Sequence, residues 1–141
     1  VVNEYSEADL VRIFSEYGEE HFSKRIAKAI VAKRHVKSID TTLELAQIVK
    51  DATPPVKSRI HPATRVFQAI RIEVNNELKN IKNTLNDVLD LLDYGAIISV
   101  ISFHSLEDRI VKEQFKYYSA KCHCPKEQLI CTCLIPRMDS L

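Results

Sequence analysis

The sequence predicts a mainly α chain that carries an α/β fragment near its carboxyl end. Two observations point there. Apolar residues recur at three- and four-residue spacing, with capping residues ahead of them, through most of the first 92 positions. Residues 96–101 (AIISVI) then form a nearly unbroken apolar, largely β-branched run, as in a strand covered on both faces, and lead through a polar turn into another helix. One strand cannot satisfy its own edges. The chain is therefore expected to be a piece of a larger protein.

Each element has its own signal. Ser6 is placed as an N-cap with Asp9 three residues on, and Leu10, Ile13, Phe14 and Tyr17 follow at helical spacing. Gly18 is the expected residue just past the helix end. A second helix is predicted from Glu19 to about Arg34. It has Phe22, Ile26, Ala29 and Ile30 on one face and Lys24, Arg25 and Lys28 on another, so an αα-hairpin follows. Thr41 with Glu44 reads as a capping box for a short helix bearing Leu43, Leu45, Ile48 and Val49, stopped by Pro54 and Pro55.

Residues 53–61 read as a loop, and Pro62 suits the first turn of the next helix. Phe67, Ile70, Val74, Leu78, Ile81, Leu85, Val88 and Leu92 make one long apolar stripe. A break is expected at 82–84, among the weak helix formers Asn80, Asn83, Thr84 and Asn86. Gly95 supplies a turn before the strand, and Ser105 with Asp108 a capping entry to a helix over 106–118. Residues 128–135 are a candidate second strand. The result is a helical block over residues 1–80 joined to an α/β portion over 81–141.

Charge balances overall, 20 Lys and Arg against 19 Asp and Glu, but is unevenly placed. Residues 21–39 hold six basic residues (Lys24, Arg25, Lys28, Lys33, Arg34 and Lys37) and no acid. Residues 52–72 add Lys57, Arg59, Arg65 and Arg71, again without an acid. Such blocks fit a polyanion partner, or simply a solvated helix face. No apolar run approaches the ~18 residues of a membrane span, and no signal-peptide pattern is present, so no membrane partner and a cytoplasmic location are expected. Only two glycines occur, and no Gly-rich nucleotide loop.

Three constellations could carry chemistry. His61, Arg65, Gln68, Arg71 and Asn75 share one side of a helix start, where Arg gives bidentate phosphate recognition or pairs with acids elsewhere. Ser102, His104 and Ser105, with Glu107 and Asp108, invite a Ser-His-acid reading, but lack the small flanking residues of a nucleophile elbow. His104 also suits a capping role or a pocket wall. Cys122, Cys124, Cys131 and Cys133 form C-x-C-x6-C-x-C, tighter than the usual zinc spacing, so reduced thiols compete with a metal site.

In order, residues 17–31 (YGEEHFSKRIAKAIV), 41–49 (TTLELAQIV), 61–78 (HPATRVFQAIRIEVNNEL) and 101–112 (ISFHSLEDRIVK) resemble the MraW-type ribosomal RNA methyltransferases. The tail CHCPKEQLICTC is similar to that family's cysteine hairpin. The resemblance implies an enzyme that uses S-adenosylmethionine to methylate N4 of a cytosine in small-subunit ribosomal RNA. It implies a Rossmann-like core with a helical insert: residues 1–80 as the substrate-recognition insert, and 81–141 as the late strand and helix of the core. The family's amino-terminal half, with its Gly-rich cofactor loop and acidic strand ends, has no counterpart here, and Tyr94-Gly95 stands where the family tends to have Pro-Gly-Gly.

With RNA as the partner, the acid-free blocks make Lys24, Arg25, Lys28, Arg34, Arg59, His61, Arg65 and Arg71 the expected RNA contacts. Ser102, His104 and Ser105 are expected to line the target-base pocket, and the cofactor to be held mostly by the absent half. Expected partners are small-subunit ribosomal RNA, that missing half and, through an exposed sheet edge, a second copy of the chain. Competing readings are a non-catalytic RNA-binding helical module and a small zinc-stabilised structural protein.

Overall fold

Ser6 starts the first helix in the computed structural model, which describes residues 1–55 and 60–120. Its hydroxyl oxygen accepts the Asp9 N–H at 3.1 Å, and α1 runs Glu7–Glu16. Leu10, Ile13 and Phe14 on its inner face are fully buried. The Tyr17 and Gly18 N–H groups both close on the Ile13 carbonyl. A Cβ on Gly18 would lie 2.7 Å from the carbonyl oxygens of Phe14 and Arg65, so glycine is required there by close approach. The left-handed residue is instead Glu19, at φ 48°. That turn delays α2 to Ser23–Val36, four residues later than expected. Buried Glu20 accepts the Phe22 N–H at 2.9 Å ahead of it.

The capping box at Thr41 forms: its Oγ1 accepts the Glu44 N–H at 3.2 Å, and Glu44 in turn accepts the Asp40 N–H at 3.2 Å. Helix α3, Thr42–Ala52, buries Leu45, Ile48 and Val49. Leu43, expected on that face, is 82% exposed, because it lies two residues before Leu45 and so points away from it. Helix α4, Thr64–Asn75, contributes Val66, Ala69 and Ile72. α1 packs on α2 and α4, and α2 on α3. The segment before α1 is tied down as well. Asn3 exchanges two hydrogen bonds with the Ile39 backbone, each 3.0 Å, and Arg34 donates to the Val2 carbonyl at 2.8 Å.

The long stripe breaks at Asn76, not at 82–84. Asn76 is left-handed (φ 52°), and its N–H closes on the carbonyls of Ile72 and Glu73. Asparagine tolerates this conformation better than any other non-glycine residue, so one well-placed Asn ends a helix where scattered weak formers do not. Helix α5 follows as Glu77–Leu89.

The chain divides into two compact units, Val1–Glu77 and Leu78–Leu141. In the second, α6 spans Ser105–Ser119, and Leu85 and Leu106 are buried. Gly95 takes φ 86° in the turn before residue 96. The strand expected over 96–101 is not formed, and every regular element among the described residues is a helix. A strand needs a neighbour's backbone, and no such neighbour lies among these residues; Ile97 and Ile101 stand 76% and 82% exposed. The second strand over 128–135 and the cysteine hairpin lie outside the described residues. Among the described residues, no helix is long and apolar enough to cross a membrane.

Candidate nucleic-acid interface

Helix α2 presents Lys24, Arg25 and Lys28 to solvent. Among the described residues none of the three has an ion-pair partner; Arg25 lies over the Phe22 ring, 6.0 Å from its centroid. The first turn of α2 contains no acid. Cations there oppose the helix dipole, at a cost of about 0.3–1 kcal/mol each, so helix stability does not account for their placement. Lys33, Arg34 and His35 in the last turn agree with the dipole. Arg34 is spent on the Val2 carbonyl and holds the amino-terminal segment in place.

At the start of α4, the Nδ1 of His61 accepts the Ala63 N–H at 3.1 Å, so His61 caps the turn. Arg65 is exposed, and its guanidinium has no partner among the described residues. Gln68 does not share that outlook: its amide donates to the Tyr17 carbonyl at 3.0 Å and fastens the α1–α2 turn to α4. Arg71 forms a two-pronged ion pair with Glu77, at 2.9 and 3.1 Å. Of the expected RNA contacts, Lys24, Lys28 and Arg65 have no ion-pair partner among the described residues, and Arg25 rests on a ring. It engages Arg34, His61 and Arg71 internally. Arg59 lies outside the described residues, as do Cys122, Cys124, Cys131 and Cys133.

In the second unit the turn before α6 is capped by His104, not Ser105. Its Nδ1 accepts the Glu107 N–H at 3.3 Å. The Nδ1 lone pair is therefore in use, which puts the proton of the neutral ring on Nε2. That buried Nε2 lies 3.3 Å from Glu107 Oε1 but makes no aligned hydrogen bond. The other Glu107 oxygen accepts the Phe103 N–H at 2.7 Å. Asp108, expected to complete a box with Ser105, pairs with Lys112 at 2.7 Å. Ser102 is half-buried and Ser105 is the exposed first residue of α6. This geometry gives His104 a capping role in the turn.

Sequence reasoning missed the clamp of Glu107 on Phe103; the signal was present, since Glu107 stands three residues after a capping residue. It also missed an open groove of about 470 Å³ between α2 and α3, lined by Ala29, Lys33, Glu44, Gln47, Ile48, Asp51 and Ala52. Two carboxylates face it from α3, which makes it a poor seat for a polyanion.

Residues 1–140 match the MraW methylase family. The chain is 56% identical over 133 residues to the ribosomal RNA small subunit methyltransferase H of Caldicellulosiruptor bescii, covering 94% of this chain and 43% of that protein. It is 54% identical over 140 residues to the protein of the same name from Geobacter sp., covering 97% and 45%. To that of Persephonella marina it is 59% identical over 118 residues, covering 82% and 40%. The chain spans less than half the length of these curated relatives.

Proposed function

The chain belongs to the MraW methylase family, and from that premise we propose that it supplies RNA recognition and part of the target-base pocket in a small-subunit ribosomal RNA methyltransferase. The reaction is transfer of a methyl group from S-adenosylmethionine to N4 of a cytosine. The observation that carries the reading is the outward, acid-free face of α2, where Lys24, Arg25 and Lys28 are exposed and the first two are set against the helix dipole. Phosphates are the partner for such a face.

In this reading residues 1–80 are the substrate-recognition insert and 81–141 the late part of a Rossmann-like core. The exposed run over 96–101 supports this assignment, being β-branched, apolar and without a sheet. The described residues do not themselves fit the cofactor. Among them there is no sheet, and so no strand end on which an α/β fold seats its ligand. The cofactor site is assigned mostly to the part of the relatives that this chain does not match.

The work of the present residues is positioning. Methyl transfer to an exocyclic amine needs the base unstacked and held in line with the donor carbon. Lys24, Arg25 and Lys28 hold backbone phosphates, with Arg59 as a further contact. Arg34 ties down the segment before α1, His61 caps the turn before α4, and Arg71 pairs with Glu77. The turn formed by Ser102, His104 and Ser105 borders the base, and Arg65 is a further phosphate contact. The place of action is the cytoplasm.

The test is titration of the chain with a hairpin of small-subunit ribosomal RNA across a salt series, beside calorimetric titration with S-adenosylmethionine. Salt-sensitive RNA binding without cofactor heat is expected. Saturable cofactor binding would overturn the division of labour.

A further inference from the structure

Phe103 is 90% exposed, although the backbone of its turn is held by two hydrogen bonds. Its own N–H is bound by Glu107 Oε2 at 2.7 Å, and the next residue, His104, caps α6. A large aromatic ring is thus displayed on a fixed backbone. Its apolar neighbours differ in kind. Ile97, Val100 and Ile101 are aliphatic and offer no π face, and Tyr94 lies in the turn that Gly95 forms. An exposed benzyl ring beside a polar turn is the chemistry that stacks an unpaired nucleobase, and stacking tolerates any base because every base has a π face.

We propose that Phe103 is the stacking platform for the extruded base, and that Glu107 is the positioning residue that presents it. This rests on the reading of the chain as RNA-binding and adds a residue to it. Phosphate contacts on α2 would give affinity that depends on salt. Phe103 would give a contribution that does not, and that requires an unstacked base.

The chain contains no tryptophan, so Phe103→Trp places a single reporter at the site. The probes are a short RNA hairpin with one unpaired cytosine and a blunt, fully paired RNA duplex of equal length. Saturation with the hairpin should quench the reporter, and saturation with the duplex should not. Phe103→Leu should weaken hairpin binding by about 5- to 100-fold, the range expected of base–aromatic stacking, and leave the salt slope unchanged. In the Trp background, Glu107→Ala should reduce the quench and Glu107→Gln should restore it, since an amide oxygen still accepts the Phe103 N–H. Because the ring is exposed, Phe103→Leu removes no core contact. Identical emission with both RNAs, or wild-type hairpin affinity in Phe103→Leu, overturns the proposal while leaving the α2 reading intact. Absence of any RNA binding overturns both.

Discussion

The two units of the chain carry similar apolar side chains and use them differently. In Val1–Glu77, Phe14, Leu10, Ile26, Ile30, Val49 and Val66 close against one another with almost no exposure. Among the described residues of the second unit Leu85 and Leu106 are the buried apolar ones, while Leu91, Tyr94, Ile97 and Ile101 face solvent. The difference lies in what each kind of element needs. A helix satisfies its backbone internally and asks only for a matching side-chain face, which α1, α2, α3 and α4 give one another. A strand asks for a neighbour's backbone, and among the described residues there is none. A sequence run can therefore be correct in its preference and still lack its structure.

The contrast can be broken by substitution. Phe14→Ala removes a fully buried ring and should cost about 3–5 kcal/mol in urea denaturation, whereas Leu106→Ala should cost about 2 kcal/mol, at the low end for its type. Equal losses would mean that the second unit has as complete a core as the first. Gly18→Ala should cost about 1–3 kcal/mol, because the new methyl meets two backbone oxygens at 2.7 Å that cannot swing away. Thr41→Ala should cost about 1 kcal/mol by loss of the cap on the Glu44 N–H, read as a fall in melting temperature.

The smallest effect is a pH dependence within the first unit. Tyr5 donates to Glu73 at 3.0 Å, and Arg12 reaches the same carboxylate at 3.2 Å. The hydrogen bond to Glu73, then partial desolvation and the carboxylate's charge, hold the Tyr5 phenol above its ordinary value. A raised acid binds its proton longer in the folded state. Its contribution is thus complete below the unfolded value of about 10 and is lost as pH rises through the folded one. Stability should fall in that alkaline window, and less steeply in Tyr5→Phe. An unchanged slope in Tyr5→Phe would remove Tyr5 as its source.

Much of the first unit was legible because its signals are local. Ser6 and Thr41 cap as their spacing predicts, and the stripe of α1 points inward; on α4 the buried residues are Val66, Ala69 and Ile72, while Val74 of the expected stripe is 59% exposed. Where prediction slipped, a single residue or a distant partner decided. Asn76 ended α4 through its tolerance of a left-handed backbone, and Glu19 took the turn assigned to Gly18. Among the site residues, exposure of Lys24, Arg25 and Lys28 could be read from helical phase. The internal use of Arg34, Gln68 and Arg71 could not, since it depends on Val2, Tyr17 and Glu77 being near in space. The capping role of His104 was open in the sequence as one of several readings, and the geometry of its Nδ1 selects it.

The central claim is that the outward face of α2 holds RNA phosphates, and the slope of log affinity against log salt tests it most directly. Replacing Lys24, Arg25 and Lys28 together by alanine should reduce that slope by about 2–3, close to one released counterion per lost contact, without loss of helix content. A triple variant with wild-type affinity and an unchanged slope would contradict the account.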